Sequence, residues 1–378
     1  MSSKQKGYLT EGRCSIPLLK PWLVSPDQLW EDFKQICSNG RLSLGKFTQR
    51  LEERARKILG VKEAVAVSSG TSGLILLLRA LGIKGKVVVP GFTFPATSHS
   101  VLWAGAKVRF CDVCEDDFTI SVKELEKIND PDVEAVFAVN IFGLPPKIKE
   151  LEEICEKKGW SLLFDSAQGL GARYNGRKTG GFGKAEVFSM SPSKVITAGE
   201  GGLITTNDTQ LAEKLRSLRD YGKTKDDIAY LGLSARMSEF NALVAFHSLA
   251  HLEELVESRR QKALRYREEL GEIAGISFQQ GTKEQESGYN YFVIRLTEES
   301  FLSRDELWQG LLNEGIETKR YFYPPAHKIS AYKSWSNSQL PVSEKLSESC
   351  LALPLYPELE EEKQEQIIKT IKKLMAEK

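Results

Sequence analysis

Apolar positions alternate between two periods along the chain. Phe47, Leu51, Ala55 and Ile58 recur at helical spacing, and Gly60 stands where such a helix would stop. The run AVAV (64–67) reads as a short strand, followed by a glycine-containing turn and the helix-like LILLLRALG (74–82). KVVVP (86–90), VRFCDV (108–113), AVFAVNIFG (135–143) and SLLFDSA (161–167) are further strand candidates, with helical segments over 121–129 and 146–158 between them. This alternation predicts an α/β fold: a mostly parallel central sheet flanked by helices, with its ligand crevice beyond the carboxyl ends of the strands.

After Arg236 the period is helical through Glu239, Leu243, Leu249, Leu252 and Leu255 to Leu270, which predicts one long helix bridging to a smaller C-terminal α+β domain. There YFVIRL (291–296) reads as a strand and SRDELWQGLLNEG (303–315) as a helix capped by Ser303, with Glu306 at the third position. The chain ends in a Lys/Glu-rich helix whose charges form a solvated face. The expected division is a large domain over 1–250, N-terminal segment included, and a small domain over 251–378.

The 378 residues suffice for two domains, and 41% hydrophobic with 27% charged residues is a globular balance. Lys and Arg number 52 against 51 Asp and Glu, so no basic surplus supports binding along a nucleic-acid backbone. Apolar stretches such as Leu74 to Leu78 are too short for a bilayer, and MSSKQKGYLTEGRCS has no signal-type apolar run. A cytoplasmic location is expected. The six cysteines are scattered and read as free thiols. Cys111 and Cys114 form a lone C-x-x-C without a second pair, which reads as packing. His99, His247 and His251 lack the spacing of a metal site, and no metal is expected.

Four features that could carry chemistry fall at predicted strand ends. In Ser68-Ser-Gly-Thr-Ser-Gly73, Gly70 permits tight backbone geometry, and the N–H groups at the following helix start suit a phosphate against Gly70, Thr71 and Ser72. The loop matches neither G-x-x-x-x-G-K-[ST] nor G-x-G-x-x-G, which disfavours nucleoside triphosphate and dinucleotide readings. Asp165 closes the apolar run SLLF, with Gln168 three residues on. It is either a helix cap or the carboxylate that keeps a pyridine-ring nitrogen protonated, making the ring an electron sink. Lys194, in Phe188-Ser-Met-Ser-Pro-Ser-Lys194, sits in a loop of small residues where burial would disfavour its ammonium form and fit the amine for Schiff-base formation. Ser189 is placed to add a hydroxyl to the phosphate site, and the glycines after Glu200 allow a close backbone approach. Gly91-Phe-Thr-Phe-Pro95 follows the VVVP strand and offers a ring either for stacking on a planar group or for the core.

Together SSGTSGL, PGFTFPAT, FDSAQGLGA, FSMSPSKVITAGEGG, ARMSEFNA and KRYFYPPAH resemble the DegT/DnrJ/EryC1/StrS family of sugar aminotransferases, within the fold type I pyridoxal phosphate (PLP) enzymes. The resemblance runs from Ile16-Pro-Leu-Leu-Lys-Pro-Trp to Leu353-Pro-Leu-Tyr-Pro. It implies that Lys194 carries the cofactor as a Schiff base and that Asp165 partners the pyridinium nitrogen. It also implies that Gln168 contacts the 3-hydroxyl side, Phe94 stacks on the ring, and Thr71, Ser72 and Ser189 hold the phosphate. The family usually has Asn two residues before the Arg of its R-M-S-E segment, reaching a partner's phosphate across a dimer; here that position is Ser234. A homodimer with shared active sites follows from the resemblance, as does amino transfer from glutamate to a nucleotide-linked 4-keto- or 3-keto-6-deoxyhexose. Tyr321, Tyr323 and His327 are candidates for lining the acceptor site, and His327 is equally suited to a structural role. Two other outcomes stay open: a sugar or cyclitol dehydratase of the same family, and a non-catalytic PLP-binding regulator. The presence of Lys194, where dehydrating members typically carry His, favours amino transfer.

Overall fold

The computed structural model describes residues 14–335 and 339–376; the N-terminal stretch read above as lacking a signal lies, but for its last two residues, outside them. The strands are β1 (Glu63–Val67), β2 (Lys86–Pro90), β3 (Lys107–Cys111), β4 (Val133–Val139), β5 (Ser161–Asp165), β6 (Arg173–Tyr174), β7 (Arg177–Lys178), β8 (Ala185–Ser189), β9 (Gly202–Thr206), β10 (Ile276–Phe278), β11 (Gln285–Glu286), β12 (Phe292–Leu296) and β13 (Cys350–Leu353). Seven of them form the central sheet in the order β1-β9-β8-β5-β4-β2-β3. Its β3, β2, β4, β5 and β8 pair in parallel, as the alternation predicts. The departure is β9, which pairs antiparallel with both β8 and β1. Its run GLITT is not among the strand candidates; with two apolar residues in five it carries little apolar signal.

The helices bury apolar faces on both sides of this sheet. Lys46–Leu59 stops at Gly60, whose φ of +68° is the left-handed cap that glycine adopts at least cost. Gly70–Leu81 starts in a capping box between Ser69 and Ser72. The segment expected over 121–129 is helical only over Val122–Glu126, and the one over 146–158 begins at Ile148, just past Pro145 and Pro146. Pro26–Asn39, not read from the sequence, is a further helix with Ser25 at its cap and Pro26 in its first turn.

The long helix expected from Arg236 to Leu270 is two helices, Glu239–Leu249 and Leu252–Leu270. At Ala250 and His251 the backbone tightens to i→i−3 bonds, onto His247 and Ser248, and the axis is interrupted. Leu249 and Leu252 are both buried, so the apolar period survives the break and concealed it in the sequence.

A second sheet, β10-β12-β13, is antiparallel and shares a core with helices Leu252–Leu270, Arg304–Asn313 and Glu361–Ala376. Ser303 and Glu306 close the expected capping box. Ile16 bridges in parallel to Ile316 and joins this core, so the N-terminal segment reaches the C-terminal unit. A small third sheet, β11-β6-β7, ties residues 285–286 to the chain just beyond β5. All six cysteines are free, and burial pushes the Cys111 and Cys114 thiols up, away from thiolate chemistry.

Candidate active site

A cavity of about 420 Å³ opens at the carboxyl ends of the parallel strands. Val139, Asp165 and Ser189, the last residues of β4, β5 and β8, line it together with Ser69–Thr71 after β1 and Thr93 and Phe94 after β2. Lys194, Gln168, Glu200, Tyr291, Lys319, Tyr321 and Phe322 complete most of the wall. Residues as far apart in the chain as Leu19 and Phe322 thus meet where the strand-end rule places a ligand.

Of the ionisable residues lining the cavity, Asp165 is the most buried, only 4% exposed. Its Oδ2 accepts a 2.6 Å hydrogen bond from Thr97 Oγ1, and Oδ1 accepts one from the Ala167 N–H at 3.1 Å. Burial pushes its carboxyl above the usual carboxylate range, while Thr97, Ala167 and the Lys194 ammonium pull the other way. Among the described residues no cation lies within ion-pairing distance of it. A buried carboxylate facing a cavity without a paired cation suits a ligand that brings a protonated ring nitrogen.

The anion end of the cavity is built from close backbone packing. A Cβ on Gly70 would stand 3.0 Å from Ser189 Cβ, and one on Gly202 would meet the backbone of Ser69 and Gly70 at 2.7–2.8 Å. Two glycines therefore let the start of helix Gly70–Leu81 sit against the ends of β8 and β9, where Ser69, Gly70, Thr71 and Ser189 line the cavity together. Ser72, expected among the phosphate ligands, is engaged elsewhere. Its N–H donates to Ser69 Oγ at 3.0 Å and its hydroxyl to Ser69 O at 2.9 Å, so it closes the cap and does not line the cavity. Ser69, not singled out from the sequence, lines it in that place.

Gln168 is buried, with Oε1 accepting from the Phe142 N–H at 2.6 Å, which leaves Nε2 as the end available to the cavity. Phe94 is 53% exposed, its ring edge-on to Phe322 at 6.3 Å, and offers a face for stacking rather than filling the core. Lys194 is half-buried on a loop held from below. Met190 exchanges backbone bonds with Gly201 and Ala198, and Asn241 Nδ2 donates to the carbonyls of Ala198 and Glu200 at 2.7 and 2.8 Å.

Of the acceptor-site candidates, Tyr321 lines the cavity and two others do not. Tyr323 points to solvent, 54% exposed, with the Arg304 and Arg320 guanidinium groups 5.2 and 5.8 Å from its ring centre. His327 is buried in the C-terminal half, bonded to Glu344 Oε1 at 3.1 Å and packed near Phe110. Ser234 is exposed and outside this chain's cavity, accepting from Arg236 Nη2 at 3.2 Å. Lys319 and Tyr291 were not singled out, although both lie in segments whose pattern was read.

A model of the DegT/DnrJ/EryC1/StrS aminotransferase family matches residues 26–372. The chain belongs to this family. As a DegT-family enzyme it is a PLP-dependent sugar aminotransferase, and its buried Asp165, glycine-packed anion end and cavity lysine fit that cofactor. It is 33% identical over 359 residues to a UDP-N-acetyl-3-dehydro-α-D-glucosamine 3-aminotransferase of Acidithiobacillus ferrooxidans, covering 92% of this chain and 94% of that one. It is 32% identical over 346 residues to a pleiotropic regulatory protein of Geobacillus stearothermophilus, covering 89% and 91%. Among solved structures, DesI in the presence of its TDP-sugar product superposes with a TM-score of 0.90 at 29% identity, covering 96% of this chain and 94% of that one. Among the described residues no helix is long and apolar enough to cross a membrane.

Proposed function

We propose that this DegT-family enzyme moves an amino group from L-glutamate to the keto group of a nucleotide-linked sugar, a 4-keto- or 3-keto-6-deoxyhexose. The observation that carries this reading is the arrangement of the cavity: a deep carboxylate, an anion-holding end, a half-buried lysine and an exposed phenyl face share one space. The UDP-linked 3-dehydro sugar in the name of one relative and the TDP-sugar product of another support the acceptor class.

The bound cofactor supplies the electron sink that makes an amino acid's α-proton removable. Asp165 would hold the proton on its ring nitrogen, through a carboxylate that Thr97 and Ala167 keep oriented. Phe94 would fix the plane of the ring, and Gln168 Nε2 would contact its hydroxyl side. Thr71, Ser189 and the helix start would hold the phosphate. Lys194 Nζ would tether the cofactor, and once displaced would take the α-proton and return it to the carbon on the far side of the transferred nitrogen, a transfer that needs the amine close to both carbons. Lys319, the second ammonium in the wall, is placed for a substrate carboxylate or phosphate.

We further propose a homodimer with Ser234 turned toward the partner's site. Exposed Ile228, Leu231 and Leu233 precede it, an apolar run that water disfavours. Sedimentation should then give twice the chain mass. The function is tested by adding L-glutamate to the purified holoenzyme and following its visible band. Conversion of the band, and its return with one of a panel of keto-sugar nucleotides, is expected. A band that persists with several amino donors overturns the reading in favour of the regulator, and loss of water from a keto-sugar without amino transfer favours the dehydratase.

A further inference from the structure

Tyr291 immediately precedes β12 and reaches the wall of the cavity from the C-terminal half of the chain. It is only 5% exposed, and its N–H donates to the Phe142 carbonyl at 3.1 Å. Its ring packs against Tyr321 at 4.9 Å and edge-on to Phe142 at 6.4 Å. The rest of this aromatic cluster (Phe92, Phe118, Phe142 and Phe322) carries no hydroxyl. Packing alone is therefore satisfied by phenylalanine here, whereas burying a phenol is unfavourable unless its O–H is used. The Tyr291 hydroxyl lies 3.4 Å from that of Tyr321, on the wall shared with Ser193 and Lys194.

We propose that Tyr291 is a positioning residue for Lys194: backed by Tyr321, its hydroxyl orients the displaced Nζ amine for proton transfer. The inference rests on Lys194 being the reactive amine, as read above. In the step, the proton leaves the donor's α-carbon for the Nζ lone pair, and the C–H bonding pair stays on the substrate–cofactor side. Nζ then gives the proton up again and ends neutral, as it began. Tyr291 keeps its own proton throughout. Burial pushes its phenol up to about 12, against the pull of the Lys194 ammonium and Ser193, so at neutral pH it serves as a hydrogen-bonding group and not as an acid.

The test compares Tyr291→Phe with the unaltered holoenzyme. Without substrate, the pH midpoint of the visible band should move by about half a unit or more, because the charge state of the lysine linkage loses its neighbour. With α-deuterated L-glutamate in a single turnover, the rate should fall about tenfold or more and the isotope effect should grow, with little change in donor affinity. An unchanged midpoint with an unchanged isotope effect overturns the proposal. Should Tyr291→Phe fail to fold, Tyr321→Phe decides: a smaller shift in the same direction supports the proposal, and none overturns it. If Lys194→Ala retains the resting band, the underlying reading fails with it; if that variant loses the band and the tyrosine variants are unaffected, only the present inference fails.

Discussion

Lys194→Ala is expected to abolish the visible band of the lysine-linked cofactor, or to leave loosely held cofactor, and to lower turnover by about 10⁴-fold or more. The size follows from two roles falling on one atom. In the proposed function Nζ is the tether, and after displacement the base that takes the proton. The chain should fold normally, since Lys194 is half-buried on a loop whose backbone is fixed by Met190, Gly201, Ala198 and Asn241 and not by the lysine side chain. Absorbance, single-turnover rate and thermal melting on one preparation check all three statements. A variant that keeps both band and turnover would remove Lys194 from the chemistry.

Asp165→Asn should lower turnover by on the order of 10²–10³-fold, because an amide keeps the shape of the carboxylate but cannot hold a ring nitrogen protonated by charge. Its effect on stability should have the opposite sign when the cofactor is stripped. Burial raises the Asp165 carboxyl above its unfolded value, so the folded chain binds the extra proton first. The stabilisation is then fully present below the usual carboxylate range and is lost as pH rises through the raised folded value. Above that raised value the cofactor-free protein therefore carries an unfavourable buried charge that Asn removes. Stripped Asp165→Asn should melt no lower than stripped unaltered protein near pH 7, and the difference should close toward acid pH. Bound cofactor should reverse the order, since its ring cation pairs with the carboxylate. A stripped variant that melts well below the unaltered chain at neutral pH would show that Asp165 is a structural carboxylate.

The residues singled out from the sequence divide by the distance over which their surroundings are set. Asp165 and Ser189 were legible because a polar residue closing a buried strand is placed by that strand alone, and the parallel sheet delivers it to the crevice. Ser72 was not, since a serine at the third position of a helix start serves equally as anion ligand or cap partner, and the choice lies in side-chain rotation. In KRYFYPPAH the aromatic content gave no sign of which ring faces the cavity. Tyr321 does, while Tyr323 lies under two arginines at the surface and His327 pairs with Glu344 seventeen residues on.

From local pattern alone came the α/β class, the cavity's place at the strand ends, and Lys194 and Asp165 as residues of its wall. Periodicity, glycine geometry and strand ends are properties of short segments, and short segments carry them intact. Tertiary structure decided the rest: the reversed β9, the break at Ala250 and His251, the serine that lines the anion end, and the approach of Lys319, Tyr291 and Tyr321 to the lysine loop. Each depends on contacts between segments far apart in the chain, and a one-dimensional pattern contains neither their direction nor their distance.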